Sequence, residues 1–249
     1  MTAVFDGHND VLFRLWSSGD EGNAQAFHSG NGRGQLDLPR MRAGGMAGGL
    51  FAIFAPSNGD LPDSDEDLNP PPAPAVAKSE ALTATLEMAR LLIDIERASA
   101  DQLRICRTAS AIRSTMASGR IAAVMHIEGA EAIDRDMLVL DQLYELGLRS
   151  IGPVWSRPNI FGHGVPFRFP SSGDTGPGLT AAGKALVRRC NEKRIVIDLS
   201  HLNEKGFWDV AELSRAPLVA SHSNALAICA SSRNLSDKQL GAIGRSRGL

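Results

Sequence analysis

Two stretches of this chain are apolar almost from end to end. Gly-Leu-Phe-Ala-Ile-Phe-Ala runs from Gly49 to Ala55, and Ile-Ala-Ala-Val-Met-His-Ile from Ile121 to Ile127. Neither alternates polar with apolar residues, so neither suits a strand with one wet face. Both suit strands buried on two faces, as in a parallel sheet sandwiched by helices. Helical patterns separate such runs. Leu82, Leu86, Ala89 and Ile93 share one face of a helix over Ala81–Leu103. Asp136–Leu146 reads as a second helix stopped by Gly147. Thr180 caps a third that reaches Asn191, Asn203–Ser214 is a fourth, and Ser236-Asp237-Lys238-Gln239 is a capping-box pattern opening a last one. Ala3–Phe5, Leu148–Val154, Arg194–Leu199 and Pro217–Ser221 bring the strands to six. The alternation predicts an α/β fold: either an open parallel sheet or a (β/α)8 TIM barrel cut short after about six strands. Leu249 falls where a seventh strand would begin. A barrel so shortened would leave sheet edges unpaired, predicting weak activity and aggregation or pairing between chains, with a homodimer as one form.

A length of 249 residues suits one barrel domain over 1–249, or two small domains. The net charge of −2 and pI near 6.3 give no reason to expect nucleic acid or an anionic membrane as partner. Cys106, Cys190 and Cys229 are widely spaced and form no CxxC pair, so they read as thiols in a reducing compartment. No signal-peptide pattern and no membrane segment of roughly 20 apolar residues is visible, which points to the cytoplasm. Two insertions stand out. Asn58–Ala77 is proline-rich and acidic and reads as a surface excursion. Trp155–Gly178 follows a strand end and is long enough to cover a site.

The chemistry-bearing residues gather where strands end. His8 and Asp10 stand two apart after the first strand, a spacing that puts both side chains on one strand face and suits a metal ion. The same five residues, Asp6–Asp10, also read as a polar turn. Glu128 ends Ile121–Ile127 and precedes Gly129, which would let backbone and metal approach closely. It also reads as a solvated glutamate, as Glu131 does more strongly, and His126 reads as a satisfied core histidine. His201 and His222 each close a strand in Ser-His. One rim could bring all five ligands to a pair of Zn²⁺ ions, ~3.5–4 Å apart in such sites. No GxSxG elbow or phosphate loop competes.

Asp6-Gly7-His8-Asn9-Asp10, Ile127-Glu128-Gly129, Asp198-Leu199-Ser200-His201, Ser221-His222-Ser223 and Arg233-Asn234-Leu235-Ser236-Asp237 occur in the order seen in the membrane dipeptidase (renal dipeptidase) family, peptidase family M19. The chain resembles that family along essentially its whole length. The resemblance implies a (β/α)8 barrel and a zinc-dependent dipeptidase that cleaves the peptide bond through a metal-bridging hydroxide. It implies that His8 and Asp10 hold one zinc, His201 and His222 the other, and that Glu128 bridges them as the catalytic carboxylate. Arg233 resembles the arginine that grips the substrate carboxylate; on its own it reads as a surface charge. Where the family has a histidine in a Thr-His-Asn-like context, this chain has Trp155. Arg157, Asn159 and His163 are then candidates for the oxyanion role, and Trp155, Asn159 and His163 for contact with a small dipeptide substrate. The family's Asp-Phe-Asp-Gly motif does not occur before Leu249. Two alternatives stay open: another barrel amidohydrolase acting on small amides or esters, and an inactive, truncated metal-binding relic.

Overall fold

The strand–helix alternation comes about through local signals that the computed structural model shows directly; it describes residues 2–19, 23–57 and 73–249. The elements are β1 Val4–Asn9, α1 Val11–Ser17, α2 Asn23–Ser29, α3 Leu38–Ala43, β2 Met46–Phe54, α4 Lys78–Ala98, β3 Leu103–Ile105 and α5 Ala109–Ala117. There follow β4 Ile121–Glu128, α6 Leu138–Leu146, β5 Leu148–Gly152, α7 Ala181–Lys193, β6 Val196–Ile197, α8 Glu204–Leu213 and α9 Asp237–Arg245. The strands are ordered β1-β2-β4-β5-β6, with β3 also against β4. β1 pairs parallel with β2, and β3 with β4. This is the β/α architecture of a TIM barrel, six strands of which lie among the described residues.

The chain forms two compact units: residues 1–54, 83–127 and 141–150, and residues 55–82, 128–140 and 151–249. The first holds most of the sheet. Cys106, Ala122 and Val124 form a buried cluster there, against which Leu50, Ala111, Ile112 and Met116 pack. Every residue of β4 is buried, as its unbroken apolar run requires. In the second unit Ala55, Ala81 and Ala132 pack with Val76 and Leu82. There β6 is followed by Asp198, whose N–H donates to the Ile151 carbonyl at 2.8 Å.

Three features depart from the sequence reading. The helix expected to reach Leu103 stops at Ala98. Ala100 and Asp101 turn left-handed (φ 47° and 65°), and Ser99 Oγ accepts the Leu103 N–H, so the chain reverses into β3. The sequence reading missed this strand, and it missed α5, whose cap Thr108 accepts the Ala111 N–H at 3.0 Å. Pro217–Ser221, expected as a strand, contributes only a single parallel bridge between Asp198 and Val219. The strand count is six in both cases, but the sets differ. Within Asn58–Ala77, residues 58–72 lie outside the described residues. The segment 155–178 contains no helix or long strand and is tied down by antiparallel bridges Pro158–His163 and Gly164–Leu202.

Candidate metal centre

β4 delivers a carboxylate to the end of a buried strand. The Glu128 side chain is 7% exposed, so it needs partners. It finds two imidazoles in the second unit. Glu128 Oε1 lies 2.7 Å from His201 Nε2 and 3.1 Å from His222 Nε2, and the two Nε2 atoms are 3.0 Å apart. His201 follows β6 in a turn and takes a left-handed backbone, φ 69°. A non-glycine residue there is strained, as residues at functional sites often are. Burial, reinforced by the positive Arg233, pushes the His201 pKa down to about 3, so this ring is a neutral imidazole near pH 7.

The far nitrogens are engaged as well. His201 Nδ1 meets Ser156 Oγ at 2.7 Å, and His222 Nδ1 meets Ser221 Oγ at 2.8 Å. Ser221 Oγ donates in turn to Asp198 Oδ2. Both rings are therefore oriented from behind, with Nε2 aimed at the carboxylate. His201 Nε2, His222 Nε2 and a Glu128 carboxylate oxygen, mutually within 3.1 Å, form a set of ligand atoms that a cation satisfies. The donor set fits a zinc ion.

In the first unit, β1 carries His8, and Asp10 leaves the strand to become the N-cap of α1. Asp10 does not continue the strand face as expected, yet its Oδ1 lies 3.3 Å from His8 Nε2. His126 is fully buried, bonds Ser150 Oγ through Nδ1 at 2.9 Å, and meets the His8 ring edge-on. The structure thus brings Glu128, His201 and His222 together in one unit and His8 with Asp10 in the other.

Around the second-unit cluster, Arg233 is half-buried, with its guanidinium 3.4 Å from both Ser223 Oγ and the His222 carbonyl. Desolvation lowers its pKa to about 10, and Glu128 and Asp198 oppose the shift, so it stays cationic near pH 7. Trp155 is buried, tilted against His201 at 5.9 Å and edge-on to Phe167 at 5.6 Å. Asn159 uses both ends of its amide on loop backbone, to the Pro153 carbonyl and the Phe161 N–H. The His163 carbonyl accepts the Asn203 N–H. Arg157, offered as an oxyanion donor, is fully buried and paired with Glu131 at 3.0 Å. Glu131 is therefore not solvated as the sequence suggested. Gly129 adopts φ +86°, and a Cβ there would meet Glu131 Oε2 at 2.3 Å. Its glycine thus serves the turn and the packing of Glu131. The sequence assigns no role to Ser156, Asp198 or Ser221, although Asp198 and Ser221 lie within the motifs that end in His201 and contain His222.

A parallel β/α sheet whose strand ends carry histidines around a buried carboxylate defines a barrel metallohydrolase. The sequence matches the membrane dipeptidase family, peptidase family M19, over residues 1–249, and the chain belongs to that family. A metallopeptidase from Rhodobacter sphaeroides, solved with a phosphinate mimic of the dipeptide L-Ala-D-Ala, superposes with TM-score 0.94 at 52% identity. The match covers 99% of this chain and 72% of that one. The M19 metallopeptidase dipeptidase AC gives TM-score 0.93, also at 52% identity, covering 99% and 71%. A protein of Acinetobacter calcoaceticus is 42% identical over 247 residues, 99% of this chain and 78% of its own. Dipeptidase verJ of Clonostachys rogersoniana is 27% identical, and the chain spans 61% of its length. Among the described residues no helix is long and apolar enough to cross a membrane.

Proposed function

We propose that this chain is a zinc-dependent dipeptidase. The observation that carries the reading is the contact of Glu128 with two imidazole nitrogens in one buried cluster. In this reading His201, His222 and Glu128 hold one ion, and His8 and Asp10 supply ligands to a second. The assignment of His8 and Asp10 rests on family membership. Zinc bound there supplies Lewis acidity and a water acidic enough to ionise near neutral pH. The chain's own residues supply the rest. Arg233 faces the terminal carboxylate of a small dipeptide, a charge-assisted contact worth about 1.5–3 kcal/mol. Trp155 and Phe167 form an aromatic wall beside His201. Asn159 and His163 shape the loop that carries that wall. The L-Ala-D-Ala mimic bound by the R. sphaeroides relative makes alanyl dipeptides the first substrates to try.

The test is elemental analysis of the purified chain after dialysis against zinc, alongside an assay on L-Ala-D-Ala. Up to two zinc ions per chain and measurable hydrolysis are expected, with both reduced in Glu128→Gln. Zinc retention in Glu128→Gln equal to that of the unaltered chain would remove the carboxylate from the site.

A further inference from the structure

Phe167 stands on a segment with no helix or long strand, yet its ring keeps a set place beside His201, edge-on at 6.3 Å. The residue is 37% exposed, so burial alone does not hold it there. The backbone on either side is held instead. Val165 donates its N–H to the His201 carbonyl at 2.8 Å. Pro166 has no N–H to give, and its carbonyl accepts the Ser232 hydroxyl. Arg168 donates its N–H to the same Ser232 oxygen at 3.2 Å, and the Arg168 carbonyl accepts the Ser232 N–H at 3.1 Å. The Ser171 N–H adds a bond to the Ala230 carbonyl at 2.7 Å. Ser232 is buried, and its hydroxyl gives its one proton to one neighbour of Phe167 and a lone pair to the other. Ser232 also directly precedes Arg233, whose guanidinium lies 3.4 Å from Ser223 Oγ and from the His222 carbonyl. One buried side chain therefore clamps both flanks of the aromatic residue and sits at the root of the arginine. Side chains presented from loops need such support to keep a productive geometry.

We propose that Ser232 is a positioning residue: it latches segment 165–171 to the loop of Arg233, so that Phe167 and Arg233 keep one fixed spacing and meet the substrate as a unit. The proposal rests on the reading of Arg233 as the grip on the dipeptide's terminal carboxylate. In that unit the guanidinium takes the carboxylate, and the Phe167 ring offers its exposed apolar surface to the hydrocarbon of the dipeptide. Alanine at position 232 can neither donate to Pro166 nor accept from Arg168, and both flanks of Phe167 are then released together.

The experiment has two arms on the full chain. The first is amide hydrogen exchange read by NMR, which needs no turnover. The N–H groups of Arg168, Ser171 and Ser232 should exchange through one shared opening, with protection equal within about threefold. Ser232→Ala should lower the protection of Arg168 and Ser171 about 10-fold, and Ser232→Thr, which keeps the hydroxyl, should restore it. The second arm is steady-state hydrolysis of L-Ala-D-Ala by the zinc-loaded chain. Ser232→Ala should raise KM about 10-fold with kcat held within about threefold and zinc content unchanged, and Ser232→Thr should return KM toward its original value. Unchanged protection of Arg168 and Ser171 in Ser232→Ala overturns the proposal, as does lost protection with KM unmoved or a loss confined to kcat. If Arg233→Ala leaves KM unchanged, or the unaltered chain turns nothing over, the functional reading fails, while the exchange arm still decides whether the latch exists.

Discussion

Arg157 and Glu131 show how far a residue's role can lie from its appearance in a sequence. Both looked like groups for water or substrate. Instead the Arg157 guanidinium is wholly buried, bonded to Glu131 Oε1 and to the Ala55 carbonyl, and set beside the Trp155 ring. Burial raises the Glu131 pKa, and Arg157 is the main influence opposing that rise. Removing one member leaves the other charge buried and unpaired, which typically costs about 3–5 kcal/mol. Arg157→Met should therefore lower stability in urea by that order. Replacing both, Arg157→Met with Glu131→Leu, should recover much of the loss. A single-variant loss below about 1 kcal/mol would show that the pair is solvated in solution. The residue types at the strand ends were legible in the sequence because histidine and glutamate after an apolar run are rare. The hydroxyls of Ser156 and Ser221 were not, because serine is common and its proton direction depends on neighbours far away in the chain.

At the scale of elements, capping chemistry was the most legible signal. Thr180 accepts the Gly183 N–H at 3.1 Å as α7 begins, Asn203 accepts the Gly206 N–H at 2.8 Å, and Ser236 with Gln239 forms the expected capping box. These interactions span three residues, so sequence contains them entire. α7 also shows where propensity misleads. On an exposed helix, exchanging glycine for alanine would stabilise by about 1 kcal/mol. A Cβ on Gly183, however, would lie 1.9 Å from the Phe161 carbonyl oxygen, which belongs to the loop beneath the helix. Gly183→Ala should thus destabilise by about 1–3 kcal/mol through overpacking, read as a lower urea midpoint. A raised midpoint would mean that the loop moves freely away from α7. β3 illustrates the converse failure. Three residues are too few for periodicity, and the left-handed turn that creates the strand pairs Asp101, a turn former, with Ala100, which carries no turn signature.

At the scale of the whole molecule, each compact unit contains a buried thiol: Cys106 in the first and Cys190 in the second. Burial pushes the Cys190 thiol up to about 12 and raises that of Cys106, while Cys229 is exposed. The thiolate is the reactive form, so the two buried thiols are doubly protected. Native chain should react with a thiol reagent rapidly at one position, Cys229, and at all three in denaturant. Fast labelling of Cys106 or Cys190 in native buffer would locate the unit that opens readily.

The sequence alone determined that this is an α/β chain of the M19 family and which five side chains are its candidate metal ligands. Apolar runs and caps are local, and the motif order covers the full length. Only the tertiary structure decided which strand ends meet, that Glu128 sits between His201 and His222, and that Arg157 belongs to the interior. Those facts depend on hydrogen bonds and burial between residues tens of positions apart. A carboxylate bonded to an imidazole and a carboxylate facing water have the same letter. What separates them is the removal of water, which the folded chain imposes and no local pattern encodes.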